Sequence, residues 1–428
     1  CNGWAGMKER GERMSKKKKK TQTVGEFPSS EGQPEFGQPR PSPDPTGFAV
    51  PHPSDSDLYK KVNPKLLEPV PAPRDPSNLV LTLESVLGDQ GASRVKQITQ
   101  NGQIVVHSVG DTGSVTGPET QSLVADKMVA DFQDEAPADV PAFLYHLGDV
   151  IYSFGEGKYY YDQFYEPYRN YPAPIVAIPG NHDGVVYSGD AAPSLDAFLR
   201  NFVNSEPAHT PEAAGLLRTA MTAPAVYFAF DAPFVSIVGL YSNVLEDPGV
   251  ISSEGNRRSP VDDQQLTFLE AQMKRLKKAG VAVIVAVHHP PYTGGLDHIG
   301  SPRMLKDLDQ CFQSANFWPH LVFSGHAHNY QRYTRAVAKL QTPYIVCGSG
   351  GHGLVKMRTA HGGAIRTPLA LTKDVVLDNY DDQNYGYLRV VANDTEIRVE
   401  FHDAIPGQIF KSPSDQVTVD LKSHTIVG

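Results

Sequence analysis

Long apolar runs are missing from this 428-residue chain. No stretch approaches the roughly 20 apolar residues that a membrane-spanning helix needs, so no spanning segment is expected. Cysteine is scarce as well. Cys1, Cys311 and Cys347 are too few for a disulfide framework, which suits a reducing compartment. The two internal cysteines read as core thiols, in keeping with the burial habits of that residue. The basic start is followed by polar residues rather than an apolar segment, so no secretory signal is expected and the expected compartment is the cytoplasm. A lipidated Cys1 would instead place the protein outside it.

Positive charge is also lacking over most of the chain. Eight of the 39 Lys/Arg but only two of the 48 Asp/Glu fall within residues 1–20, leaving 31 basic against 46 acidic side chains in the rest. A body this acidic is a poor partner for a nucleic-acid backbone, and no nucleic-acid or membrane partner is expected. The run Lys16–Lys20 reads as a solvated tail. Lys8-Glu9-Arg10-Gly11-Glu12-Arg13 is what a purine-rich, ribosome-binding-like stretch would encode if translated, so Met7 or Met14 is the expected native start.

Hydrophobic residues make up 40% and charged residues 20% of the chain, as in an ordinary globular protein. Residues 1–76 are the exception. They are rich in Pro, Gly, Ser and charge, with dense stretches at Pro39–Pro43 and Pro69–Pro73, and are expected to form an extended or disordered arm. Leu66, Leu67 and Val70 would pack that arm onto a single domain spanning 77–428. Within the domain, Ile104–His107, Ala142–Leu147, Pro174–Ile178, Val281–Val287 and Leu321–Phe323 are short β-rich runs. Several are apolar on both faces, as central strands are. Between them, Asp262–Ala279 has Leu266, Leu269, Met273 and Leu276 at helical spacing, with Asp262 or Asp263 to cap it and Gly280 to end it. Residues 385–401 read as a hairpin turning at Asn393-Asp394. Strands alternating with helices imply an α/β fold, in which ligands gather at the carboxyl ends of strands.

Five polar blocks sit at such ends. They are Asp111-Thr112-Gly113, Gly148-Asp149-Val150-Ile151-Tyr152, Gly180-Asn181-His182-Asp183, Val285–His288 and Gly325-His326-Ala327-His328. Together they supply two carboxylates, a phenol, an amide oxygen and several imidazoles, a ligand set for two metal ions. Singly, each block is as well explained by a turn or a satisfied surface pair. In this order, over about residues 104–402, the series resembles the metallophosphoesterase (calcineurin-like phosphoesterase) superfamily and, within it, the purple acid phosphatases.

The resemblance implies a four-layer αββα sandwich of two mixed β-sheets flanked by helices, with the metal site at the strand carboxyl ends. It implies that Asp111, Tyr152 and His328 hold one metal, that Asp149 bridges both, and that Asn181, His288 and His326 complete the second. Two positions select the branch. Gly113 stands where most of the superfamily has a histidine, and Tyr152 supplies a phenol in exchange. An ordinary phenol titrates near pH ~10, so binding as phenolate near neutrality calls for a strong Lewis acid such as Fe(III). The expected cofactors are therefore Fe(III) plus a divalent Fe, Zn or Mn. With a bridging hydroxide, three ligand anions would leave this pair slightly positive and receptive to phosphate. A metal-bound hydroxide would attack phosphorus, with His182 and His298 as further catalytic groups and Asp183 orienting His182. Tyr292 and Tyr330 would either flank the pocket or pack.

The implied activity is hydrolysis of small phosphate monoesters. A phosphodiesterase or nucleotide hydrolase is the alternative on the same scaffold, with the choice lying in loops 184–222 and 242–260. A non-catalytic binding protein would have lost a ligand, and none is lost. Plant-type members carry a β-sandwich domain ahead of the catalytic one, for which there is too little chain before Asp111. Oligomeric state is left open.

Overall fold

In the computed structural model, residues 69–427 are described, apart from 115–116, 134–135, 186–191, 243–246, 297, 358–362 and 409–411. Cys1, Met7, Met14, the Lys16–Lys20 run, Leu66, Leu67 and the rest of the arm to residue 68 lie outside the described residues. Residues 69–76 run along the body. Val70 packs with Val250 and Val261, and the Arg74 guanidinium donates to the carbonyls of Thr222 and Ala223.

In chain order the early strands are β1 (Val80–Thr82), β2 (Gln103–Val109), β3 (Pro141–His146), β4 (Ile175–Ala177), β5 (Phe228–Ala232) and β6 (Val235–Leu240). Next come β7 (Ala282–Val287), β8 (Leu321–Ser324), β9 (Tyr330–Val337), β10 (Leu340–Cys347), β11 (Leu369–Ala370) and β12 (Val375–Asp381). The last four are β13 (Gly386–Asn393), β14 (Glu396–Asp403), β15 (Asp415–Asp420) and β16 (Thr425–Ile426). They form a nine-stranded sheet in the order β1-β5-β6-β7-β8-β10-β9-β12-β11 and a seven-stranded sheet in the order β16-β15-β14-β13-β2-β3-β4. Both are mixed. Strands β6, β7, β8 and β10 run parallel in the first, as do β2, β3 and β4 in the second.

The two sheets lie face to face. Phe143 of β3 meets Phe230 of β5 edge-on at 4.8 Å, and Tyr330 of β9 stacks on Phe401 of β14 at 4.0 Å. Seven helices accompany them among the described residues: α1 (Leu83–Val86), α2 (Gly91–Asn101), α3 (Glu119–Ala130), α4 (Asn181–Gly184), α5 (Asp196–Phe202), α6 (Gln264–Leu276) and α7 (Pro302–Ala315). α2 and α3 cover the outer face of the seven-stranded sheet at β2 and β13, while α6 packs on β6 with α7 beside it. The result is the four-layer αββα sandwich. Each sheet buries one face against its partner and the other under helices, which is why β3 and β7 are buried along their whole length.

Helix α6 follows its apolar stripe: Leu269, Met273 and Leu276 are buried, and Leu266 packs against the same core. Its start differs from expectation in one respect. Asp262 accepts from the Gln264 amide, whereas the Asp263 carboxylate turns away to the Ser253 amide, so Asp263 is no side-chain cap. Beyond Leu276 the chain turns through Ala279 to Gly280, whose φ of +69° suits glycine. The hairpin is β13–β14, and Asn393 closes its turn by accepting from the Thr395 and Glu396 amides. Cys311 and Cys347 are buried thiols. None of the described helices is long and apolar enough to cross a membrane.

The hairpin carries a cross-strand ion pair with a measurable signature. Arg389 and Glu400 are register partners, their side chains meet at 3.1 Å, and His402 and Arg398 also contact the carboxylate. Burial raises the Glu400 carboxyl, but the His402 bond and the Arg389 charge outweigh it and hold it at about 2, against an ordinary 4.5. A carboxyl lowered on folding stabilises fully above its ordinary value, and that stabilisation is lost as pH falls through the folded value. Glu400→Gln should therefore lower Tm at pH 7 and flatten its decline between about pH 4.5 and 2 relative to wild type. Parallel Tm-against-pH curves would remove Glu400 from the acid response.

Candidate metal centre

Each of the five blocks begins where a parallel strand ends. Asp111 follows β2, Asp149 follows β3 and Asn181 follows β4, all in the seven-stranded sheet. His288 follows β7, and His326 and His328 follow β8, in the nine-stranded sheet. The site thus lies where the carboxyl edges of two facing sheets meet. Backbone bonds tie the loops together: Asp111 N–H donates to Gly148 O, Thr112 N–H to Asp149 O and Gly325 N–H to His288 O. The approach is close enough to need glycine at 148. There φ is +99°, and a Cβ would sit 2.6 Å from the Gly180 nitrogen and 2.7 Å from the His288 ring.

Three of the converging residues are themselves strained. Asp111, Asp149 and His326 have φ of 57°, 52° and 65°. Each such non-glycine residue costs on the order of 1–3 kcal/mol and persists only where its surroundings over-determine it.

The side chains meet in one cluster. The Tyr152 hydroxyl lies 2.9 Å from Asp111 Oδ1, 3.0 Å from Asp149 Oδ2 and 3.2 Å from His328 Nε2. Asn181 Oδ1 lies 3.0 Å from both His288 Nε2 and His326 Nδ1. His288 Nε2 is 3.2 Å from Asp149 Oδ2, which joins the two halves. Asp111, Asp149, Tyr152, Asn181 and His288 are fully buried and His326 and His328 nearly so. His288 Nδ1 donates to Leu147 O, which directs Nε2 inward. Its neighbour His289 bonds Ser242 Oγ through Nδ1, so the adjacent pair is divided between the cluster and the loop behind it.

The field inside the cluster is that of buried anions. Burial above all pushes the Asp111 carboxyl up to about 7, opposed by His288 and aided by the charge of Asp149. Asp149 would also rise on burial, but His288 and His182 hold it below the usual carboxylate range. For His288, burial favours the neutral ring, yet Asp149 and Asp111 raise it to about 9. Two carboxylates, one phenol, one amide oxygen and three imidazole nitrogens converging without a Lys or Arg among them are chemistry suited to cations. Among the described residues, two triads bring metal-ligating atoms within 4.8 Å of one another: Asp149, His288 and His326, and Asp247, His298 and His326.

Of the further groups expected at the site, His182 has its Nδ1 held by Ser153 O at 2.7 Å and its ring 4.2 Å from that of Tyr152. His298 lies with its ring centroid 3.9 Å from that of His326. Asp183, expected to orient His182, directs its carboxylate to the amides of Val150, Ile151 and Gly180. The carboxylate thereby joins the turn after β3 to the turn after β4 and braces the Asp149 and Asn181 loops. Tyr330 is a packing residue, stacked on Phe401 and bonded to Asp415, and Tyr292 packs against Tyr333 and Tyr344.

Three residues escape the motif reading. His352 stacks on Tyr152 at 3.7 Å and 11°, with its Nδ1 on Gly113 O. The signal for it was present, since Gly350-Gly351-His352 follows the apolar end of β10. Gln163 accepts from Tyr152 N–H at 2.8 Å and donates to Tyr152 O at 2.7 Å from within a π-helical turn, Tyr161–Tyr165. Asp247 contacts His298 and His326.

Residues 107–330, more than half of the chain, match the calcineurin-like phosphoesterase family, and the chain belongs to it. Within that family it is similar to the "probable purple acid phosphatase 20" of Arabidopsis thaliana, 28% identical over 185 residues. That match takes in 41% of this chain and 38% of the relative, so the chain spans well under half the length of that protein. Among solved structures, the purple acid phosphatase PPD1 from yellow lupin seeds superposes with a TM-score of 0.49 at 16% identity, over 74% of this chain and 54% of that one. A dimetal phosphatase from Danio rerio gives 0.43 at 10% identity, over 74% and 99%.

The geometry explains why residue 113 is glycine. A Cβ there would lie 2.6 Å from Gln163 Oε1, 2.7 Å from Ile151 Cα and 2.9 Å from Val150 O. Gly113→His should therefore not add an imidazole to the cluster. It should cost about 1–3 kcal/mol as an overpacked substitution and displace the Tyr152 segment. Denaturant unfolding together with metal content per chain checks this: a Gly113→His protein of unchanged stability and full metal content would contradict it.

Proposed function

We propose that the chain is a metal-dependent phosphoester hydrolase acting on small phosphate monoesters, with residues 77–428 as its catalytic domain and 1–76 as an appended arm. One observation carries the reading: Asp111, Asp149 and His328 converge on the Tyr152 hydroxyl beside the Asn181–His288–His326 group. Asp111, Tyr152 and His328 would hold one ion, Asn181, His288 and His326 the other, with Asp149 shared. The phenol among these donors favours Fe(III) at the first position, with a divalent Fe, Zn or Mn at the second. Bound there, such a pair supplies Lewis acidity toward phosphoryl oxygens and lowers the pKa of water enough to make it a nucleophile near neutral pH.

The chain's own residues do the positioning. His288 is locked by Leu147 O, and the Gln163 side chain fixes the Tyr152 backbone on both its donor and its acceptor. His352 lies flat on the phenol ring and restricts its rotation. The His182 backbone N–H donates to Asp149 Oδ1, so the shared carboxylate is oriented by the segment that carries a candidate substrate-contacting ring. His182 and His298 would flank the reacting phosphoryl group, one from each sheet's set of loops, and hydrogen-bond its oxygens or the leaving oxygen.

The test is hydrolysis of 4-nitrophenyl phosphate, with bis(4-nitrophenyl) phosphate for comparison, by protein of measured metal content. Wild type should turn over the monoester faster than the diester. Asp149→Asn should lose activity by at least about 100-fold while remaining folded, since the shared carboxylate orients both halves of the centre. Protein that holds two metals yet hydrolyses neither ester would refute the reading. A visible absorption band that disappears in Tyr152→Phe is expected for phenolate on Fe(III), and a colourless protein with two metals would remove iron but not hydrolysis.

A further inference from the structure

Asp247 lies outside every motif, yet its carboxylate touches two of the imidazoles of the site. Its Oδ2 is 3.2 Å from His298 Nδ1, and its Oδ1 accepts from the Ile299 amide at 3.2 Å and lies 3.4 Å from His326 Nε2. His298 and His326 are buried, and their rings approach at 3.9 Å with 41° between planes. His298 is carried on the connection between β7 and α7, where Leu296 and Ile299 on either side of it are exposed. The Asp247 carboxylate grips both the His298 ring and the backbone of the next residue.

We infer that Asp247 is a positioning residue of the proposed phosphoester hydrolase. It clamps His298 by Nδ1, so that the opposite ring nitrogen, Nε2, is the one presented to substrate, and it braces His326 on the face turned away from Asn181. The chemistry is that of a carboxylate behind an imidazole, which fixes ring orientation and tautomer. The two contacts have different weights. His326 is also held by the strained turn after β8 and by Asn181, and its backbone amide donates to Asp111 Oδ2 at 2.8 Å. His298 is held at Nδ1 by Asp247, with its ring against that of His326. Loss of Asp247 should therefore release His298 while the metal-ligating group stays assembled.

The inference rests on the phosphoester-hydrolase reading, and two measurements keep the two apart. First, kcat and KM on 4-nitrophenyl phosphate and on an alkyl phosphate are compared for wild type, Asp247→Ala, Asp247→Asn, His298→Ala and the Asp247→Ala/His298→Ala double variant. Metal content is measured on each preparation. Asp247→Ala should lose roughly 10–100-fold in kcat/KM with both metals retained. Its kcat-against-KM pattern should match that of His298→Ala, and the double variant should lose no more than His298→Ala alone. Asp247→Asn, which keeps an acceptor of the same shape, should recover part of the loss.

Additive losses in the double variant, unchanged kcat/KM in Asp247→Ala, or loss of metal in that variant would each overturn the assignment. Second, crystal structures of wild type and Asp247→Ala should show the His298 ring displaced from His326 in the variant, and an unmoved ring would also overturn it. Wild-type protein inactive on both esters would refute the hydrolase reading, and the crystallographic comparison would still decide the role of Asp247.

Discussion

Two buried carboxylates share the hydroxyl of one tyrosine, and the economy of the whole site follows from that. Asp111 and Asp149 each lie within 3.0 Å of Tyr152 Oη, and all three residues are fully buried. Like charges so placed are costly unless positive charge arrives. The polypeptide answers part of this itself. His288 gains basicity from Asp149 and Asp111, and backbone amides of His182 and His326 donate to the same two carboxylates. Among the described residues, no lysine or arginine joins the cluster. The remaining demand for positive charge suits the cluster to cations rather than to a settled ion pair.

That arrangement needs two sheets. A single parallel sheet presents its strand ends in a row, whereas two facing sheets bring two rows against each other. Here β2, β3 and β4 contribute the carboxylates, the phenol and the amide, while β7 and β8 contribute the imidazoles. The aromatic contacts between the sheets, such as Phe143 with Phe230, fix the separation over which those rows meet. Backbone strain is present at the crossing points. Asp111, Asp149 and His326 adopt left-handed conformations where a regular strand exit would carry their side chains apart.

Strands β2, β3, β4, β7 and β8 were legible as short β-rich runs, several of them apolar on both faces, and the polar blocks were legible because they follow those runs directly. The metal-ligand candidates came from such blocks, and the structure brings all seven together. Supporting residues were less visible for a physical reason. Gln163 acts through a backbone contact inside an aromatic stretch, and its amide looks like any other polar residue there. Asp247 does not directly follow a strand and reaches its partners across more than 50 residues of chain. Asp183 is visible beside His182 in the sequence, while the structure turns its carboxylate to the amides of Val150, Ile151 and Gly180. Sequence pattern reports what a strand delivers to the site and says little about what braces it from behind.

The crowding around residue 113 limits how this cluster could be altered by substitution. The space a histidine side chain would occupy there is filled by Gln163 and the backbone of Ile151, and those same groups hold Tyr152 in place. Replacing Tyr152 alone would remove the phenol from the cluster, and adding a side chain at residue 113 alone would produce a collision. Positions 113, 152 and 163 are therefore coupled by packing, and bringing an imidazole in from position 113 calls for changes at all three.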